Sequence, residues 1–163
     1  MNPSKIFVLA AAAVTLSTPA LAAEAESDAG AKIIAPLQIS NNTALYFGTI
    51  APSLTSADTV SVSHAGAKDC GSELTCLTDD HTAADFSVTG EADWSYSIQL
   101  PTSIEIQNSD GENMTVNAFT GSKVGGTLVS GSDSFTVCGT LGVEANQPTG
   151  EYTGTFVVGV EYQ

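Results

Sequence analysis

The chain has 163 residues, with 4 Lys and Arg against 18 Asp and Glu, a formal charge of −14, and only 3 Cys and 2 His. This balance excludes nucleic acid as a partner, because a phosphate-binding surface needs clustered Lys and Arg, and Lys32, Lys68 and Lys123 stand apart. Anionic lipid is disfavoured for the same reason.

The first residues follow the three-part pattern of a cleavable signal peptide over 1–22. Lys5 precedes an apolar run from Ile6 to Leu16, and Ser17, Thr18 and Pro19 lead into Ala20-Leu21-Ala22, where a signal peptidase needs small residues. The run is about half of the roughly 20 residues that a membrane-spanning helix requires, and no later segment is as apolar, so an integral membrane protein is not expected. Export of Gram-negative type is expected, to the periplasm, the cell surface or beyond. Cleavage after Ala22 leaves three Lys against 18 carboxylates, in a chain sized for one domain. Such acidity favours solubility in salty surroundings, where ions screen self-repulsion. Residues 23–31 are Ala, Glu, Asp, Ser and Gly, too polar and too small to pack, and read as a flexible leader.

From Lys32 to the end, 32–163, the hydrophobic period is two. Ile33, Ala35, Leu37 and Ile39 share a face, followed by Val60 and Val62, then Phe86 and Val88. Trp94, Tyr96, Ile98 and Leu100 alternate with Ser95, Ser97 and Gln99, the pattern of a half-buried strand. Met114, Val116 and Ala118 continue it, as do Phe135, Val137, Leu141 and Val143. Turn signals separate the runs, among them Asn41-Asn42, Ala51-Pro52, Gly125-Gly126 and Pro148-Thr149-Gly150. Asp110-Gly111 reads as a two-residue hairpin turn. Short strands with frequent turns, and no helical stripe after the signal peptide, predict one all-β domain, an antiparallel β-sandwich.

Enzymatic chemistry lacks its residues. With only His64 and His81, a His-rich metal site is excluded and a Ser-His-Asp triad has almost no material. His81 follows Asp79 and Asp80, but neighbours on an extended chain point to opposite sides, so a solvated acidic loop is the expectation. The run Asn108-Ser109-Asp110-Gly111-Glu112-Asn113 lacks the alternating carboxylates of a calcium loop. No catalytic residue, metal ligand or cofactor is expected. Trp94 and Tyr96 read as core rather than as a sugar platform, because Ile98 and Leu100 share their face.

Three cysteines in an exported chain predict one disulfide and one thiol. Cys70 with Cys76 is the simplest of three pairings. By alternation Cys138 falls opposite the Phe135 and Val137 face. There it points outward, reaches a loop cysteine, is covered by another chain, or is simply a small, partly buried residue.

The C-terminal run places Tyr152, Phe156, Val158, Val160 and Tyr162 on one face, with Gly150 at its start. With its penultimate Tyr162 and with Gly150 fourteenth from the end, this run resembles the last strand of chaperone–usher pilin subunits. More broadly, Ala35-Pro36-Leu37-Gln38-Ile39, Leu45-Tyr46-Phe47-Gly48-Thr49-Ile50, Phe86-Ser87-Val88-Thr89-Gly90, Tyr96-Ser97-Ile98-Gln99-Leu100-Pro101 and Tyr152-Thr153-Gly154-Thr155-Phe156 resemble a proteobacterial secreted family of unknown function with a pilin-like or spore-coat-U-like look. The resemblance implies an immunoglobulin-like, pilin-like sandwich and export. In the pilin case it also implies donor-strand exchange, in which an N-terminal segment of one subunit completes the next. Ile33, Ala35, Leu37 and Ile39 fit such a donor, and Pro36 suits an added or edge strand. The other reading makes this segment the first strand of its own sandwich. Pilin subunits often bridge a Cys of the first strand to a neighbour, and here 32–50 contains none.

The expected function is therefore a non-enzymatic structural protein, a fimbrial or surface-fibre subunit that self-associates or meets a periplasmic chaperone. The alternative is a self-complete adhesin or carbohydrate-binding module using the acidic loop from Cys70 to Asp80.

Overall fold

The computed structural model describes residues 23–78 and 80–163; the expected signal peptide and Asp79 lie outside the described residues. Two units are distinguished, Met1–Lys32 and Ile33–Gln163. Of the first, residues 23–32 are exposed and belong to no strand. The second holds the folded domain.

The domain is all-β and antiparallel, as the two-residue period predicts, and its axis is the long strand β11 (Ser132–Val143). Val137 pairs with both Ala84 and Gly121, and Thr140 with both Ser61 and Asn117, so β11 carries neighbours on both edges. Along one edge lie β6 (Ala84–Thr89) and then β3 (Asp58–Val62), and along the other lies β9 (Asn113–Gly121). Outward from these come β1 (Gln38–Thr43) on β6, β4 (Lys68–Cys70) on β3 and β8 (Ser103–Gln107) on β9. A second sheet runs in the order β10 (Gly125–Thr127), β7 (Ser95–Gln99), β12 (Gly159–Tyr162). The short pair β2 (Ile50–Ala51) and β5 (Thr75–Cys76) stands apart.

Two hydrophobic clusters result. At one end Ala84, Phe86, Val88, Phe135 and Val137 face Tyr96, Leu128, Val158 and Val160 of the second sheet and its flanks. Two strand layers cover this core, and Phe86 stacks on Phe135 with ring centroids 5.5 Å apart. At the other end Val60, Val62, Met114, Val116, Leu141 and Val143 pack with Phe47 and Leu74. A polar tie fastens the two sheets at the first end. The Tyr96 hydroxyl donates to Asp133 Oδ2 at 2.9 Å, and Lys123 Nζ donates to Asp133 Oδ1 at 2.8 Å.

Three local expectations are corrected. Ala118 does not join the inward face of Met114 and Val116; it is exposed, with φ of 51°, and Phe119 turns inward instead. The cause is a β-bulge: Asn117 to Thr120 oppose only Thr140 to Cys138, and the extra residue shifts the alternation by one. Asp110-Gly111 is the tip of a longer loop between Gln107 and Asn113, not a two-residue turn. Only Gly111 there has positive φ, 87°, whereas the tight turn needs it at both positions. The C-terminal run is a regular strand only over Gly159–Tyr162.

Candidate functional site

The second sheet covers only one end of the domain. Over the other core lies an open groove of about 850 Å³, floored by Ile104, Ile106, Met114, Val116, Leu141 and Val143. Its rims are two extended segments, 44–52 and 147–156. Each rim is hydrogen-bonded to neighbours of its own. Tyr46 exchanges two backbone bonds of 2.9 Å with Thr82, and Ile50 pairs with Cys76. Thr153 exchanges bonds of 2.9 and 3.0 Å with Gln107 on β8. Among the described residues no ladder joins rim to rim. Extended backbone on two sides above an apolar floor is the form of a site that accepts an added strand, with ladder bonds for affinity and side-chain contacts for register.

The 147–156 rim is braced. The Tyr152 hydroxyl donates to the Pro148 carbonyl at 2.8 Å and accepts from Gln147 Nε2 at 3.0 Å. A tyrosine bonding back to backbone four residues upstream is a device of Greek-key sandwiches for fixing a corner. Buried Asn108 accepts through Oδ1 from the amides of Asp110 and Glu112 and donates to Tyr152. The run that lacks the carboxylates of a calcium loop is thus a hairpin loop whose leading Asn108 side chain is committed to its own backbone. Gly154 lies so close to β8 that a Cβ there would meet Ile106 Cγ2 at 2.7 Å. That close approach lets Thr153 reach Gln107.

The predicted residues are distributed over both ends. Tyr152 packs on the groove-side core, while Phe156, Val158, Val160 and Tyr162 pack on the closed one, and a Cβ on Gly150 would meet the Asn108 side chain at 3.1 Å. Leu37 and Ile39 are half-buried against the closed core of their own chain, and β1 pairs with β6 in the same chain. Ile33 and Ala35 do not share that contact; Ile33 is 94% exposed. The four-residue face expected there is therefore split, because β1 begins only at Gln38. Trp94 sets its ring edge-on to Tyr162, centroids 5.6 Å apart, and Tyr96 is buried.

Cys70 and Cys76 form the disulfide. Asp58 grips the loop between them: its carboxylate accepts from the Glu73 amide at 3.0 Å and the Thr59 amide at 2.8 Å, and these bonds hold its pKa below the usual value. Cys138 is a free thiol on the face opposite Phe135 and Val137, as alternation requires, but it is buried rather than outward. His64 covers it, with Nδ1 3.0 Å from Sγ and 3.1 Å from Thr136 Oγ1. Burial pushes the thiol pKa up. Among the described residues no group of three His, Cys, Asp or Glu is gathered as a metal site. No helix there is long and apolar enough to cross a membrane.

Sequence reasoning missed the groove itself. The apolar runs Leu45 to Ile50 and Tyr152 to Phe156 read as ordinary strands, and nothing in their sequence signals the gap between them.

Residues 37–162 match the family model described as a domain of unknown function, DUF4402. The chain belongs to that family. No curated protein and no solved structure matches it. The match begins at Leu37, so the DUF4402 domain includes β1 and both groove rims but not residues 23–36.

Proposed function

We propose that this DUF4402 chain is a non-enzymatic, exported structural protein, a subunit of a surface fibre whose groove takes an extended segment of a neighbouring copy. The observation that carries the reading is the open apolar groove between two extended rims that, among the described residues, no ladder joins. An occupying strand would complete the second layer over the Met114 and Val116 core, as β7 and β12 do at the other end. One further feature agrees with it: the chain carries an N-terminal segment outside the sheets with an exposed Ile33. The mechanism is assembly by backbone ladder formation, with apolar burial of roughly 25 cal/mol per Å² as the driving force.

The test compares the exported chain with I104R and I104V variants by light scattering and electron microscopy, with circular dichroism as the check on folding. Multimers or fibres from the wild type and I104V, and monomers from a folded I104R, are the expected result. Monomers from all three, with equal thermal stability, overturn the proposal.

A further inference from the structure

The second sheet ends in β10, which pairs with β7 along one edge only. The Val124 carbonyl accepts from the Ile98 amide at 2.9 Å, and the Leu128 amide donates to the Trp94 carbonyl at 2.9 Å, so both residues turn these backbone groups toward β7 and its flank. By the alternation of an antiparallel ladder, Gly125 and Thr127 between them turn theirs away. The Val129 amide fits that direction, donating to the Thr127 carbonyl at 2.9 Å.

An outer strand is a template for another chain, and folded domains guard it with charge, a bulge or a cover. Among the described residues, the other outer strands of the two larger sheets are guarded. β1 carries a register shift between Asn41 and Thr43, β4 carries Lys68 and Asp69, β8 carries Glu105 and is bridged by Thr153, and β12 carries Glu161. β10 has none of these. Residues 124–132 hold no charge in a chain of net charge −14, and Lys123, just before them, is neutralised by Asp133 at 2.8 Å. The flanking valines are bare: Val124 is 89% exposed and Val129 is 69%. The glycines serve their own fold, since a Cβ on Gly126 would meet the Asp133 carboxylate at 2.5 Å and one on Gly125 the Tyr96 carbonyl. They also leave half of the outer edge without a side chain.

These features select the occupant. Copies of a strongly acidic chain repel one another, and an uncharged stretch is where a second copy meets least opposition. The strand is also self-complementary. With a two-fold axis at Gly126, Gly125 exchanges ladder bonds with Thr127 of the second copy, and Thr127 with Gly125 of that copy. Gly126 then faces Gly126 of the second copy with no side chain to hold the backbones apart, and Val124 lies across from Leu128 of the second copy.

We infer that β10 is a lateral contact, at which two copies join edge to edge so that the second sheet of one runs into that of the other. A contact this short is weak between single copies, with a Kd on the order of 1 mM, and gains strength when many such contacts form along aligned rows of copies. The contact itself is independent of the groove; its repetition along a fibre rests on the reading under Proposed function.

The test has two arms, both on the full exported chain. In folded I104R, which takes the groove out of play, amide exchange at Gly125 and Thr127 followed by NMR is expected to slow about twofold between micromolar and millimolar chain, as half-occupancy at such a Kd requires. Exchange at Gly66, in the turn after β3, is expected to stay constant. Adding V124E is expected to restore the dilute rate at every concentration and to leave the melting temperature unchanged, because Val124 faces solvent. In the chain with native Ile104, electron microscopy is expected to show laterally paired fibres, and single fibres for V124E. Constant exchange at Gly125 and Thr127 in I104R overturns the contact, and a slowing that survives V124E overturns its register. Single fibres from the wild type overturn lateral pairing. A wild type without fibres, with the slowing intact, overturns the groove reading and leaves the β10 contact standing.

Discussion

The two ends of the domain share β11 but differ in what lies across from it. At the closed end, Phe135 and Val137 face a three-stranded sheet, and Tyr96 and Leu128 complete a core from which water is excluded. At the open end, Leu141 and Val143 face two segments that no ladder joins to each other, and Ile104 and Ile106 of the floor are half-buried. The same strand buries Leu141 and Val143, at 4% and 3% exposure, nearly as fully as Phe135 at 3%, and the ends differ in what covers them: a three-stranded sheet over one, two rims with an open groove between them over the other. The fold supports that opening through the closed end, the Tyr96–Asp133–Lys123 tie and the Tyr152 corner.

The largest effect expected from this contrast is on stability. Tyr96 is 1% exposed, and Tyr96→Ala should cost about 3–5 kcal/mol, the range for emptying a buried aromatic site. Ile106→Ala, at the half-buried groove, should cost roughly 1 kcal/mol in the isolated chain. Urea unfolding of both variants measures the difference. Near-equal costs would mean that the groove is filled in solution and that the contrast between the ends is false.

How much of this was legible in the sequence follows from the same contrast. Alternation over Phe86 to Val88 and Phe135 to Val143 marks strands with one wet and one dry face, and this was enough to predict an antiparallel sandwich. It also placed Cys138 on the correct face of β11. It could not report that His64, from a turn 74 residues away, covers that thiol. Alternation failed at Ala118, where a positive φ inserts a residue and hands the inward position to Phe119. The groove was illegible for a related reason. Apolar residues in Leu45 to Ile50 and Tyr152 to Phe156 look like ordinary strands in sequence, and only space reveals that their inner edges do not meet. The Cys70 and Cys76 pair was accessible, because spacing and loop chemistry favoured it over the other pairings.

A smaller effect is expected from that disulfide. It closes a short loop, at a sequence separation of 6, so replacing both cysteines by Ser should cost about 2 kcal/mol through the added freedom of the unfolded chain. The loop also borders the open end, since Ile50 of one rim pairs with Cys76. Hydrogen exchange should therefore rise at Leu77, whose amide donates to Thr49, more than at β6 or β7. Equal exchange changes at both ends would show that the disulfide acts globally and would remove it from the account of the open end.

The smallest effect concerns pH and the closed end. Burial by itself would raise the Asp133 pKa, but Lys123, the Ser134 amide and the Tyr96 hydroxyl outweigh it and leave the carboxyl below its usual value. A folded-state value below the unfolded one, about 3.9, means that its stabilisation is complete above pH 4 and fades as pH falls through the folded value. Tyr96 is raised, by burial first and then by Asp133. Its stabilisation is complete below about pH 10 and fades as pH climbs beyond that. Because the Lys123–Asp133 pair is partly exposed, the acid limb should amount to no more than ~1 kcal/mol. Asp133→Asn should flatten the acid limb of a melting-temperature profile, and Tyr96→Phe, which keeps the ring, the alkaline one. Neither should change exchange at the groove rims, because the tie belongs to the end that already has its second sheet. If Asp133→Asn loosens the 147–156 rim as much as the closed end, the two halves are one cooperative unit, and the groove is a continuation of the finished core.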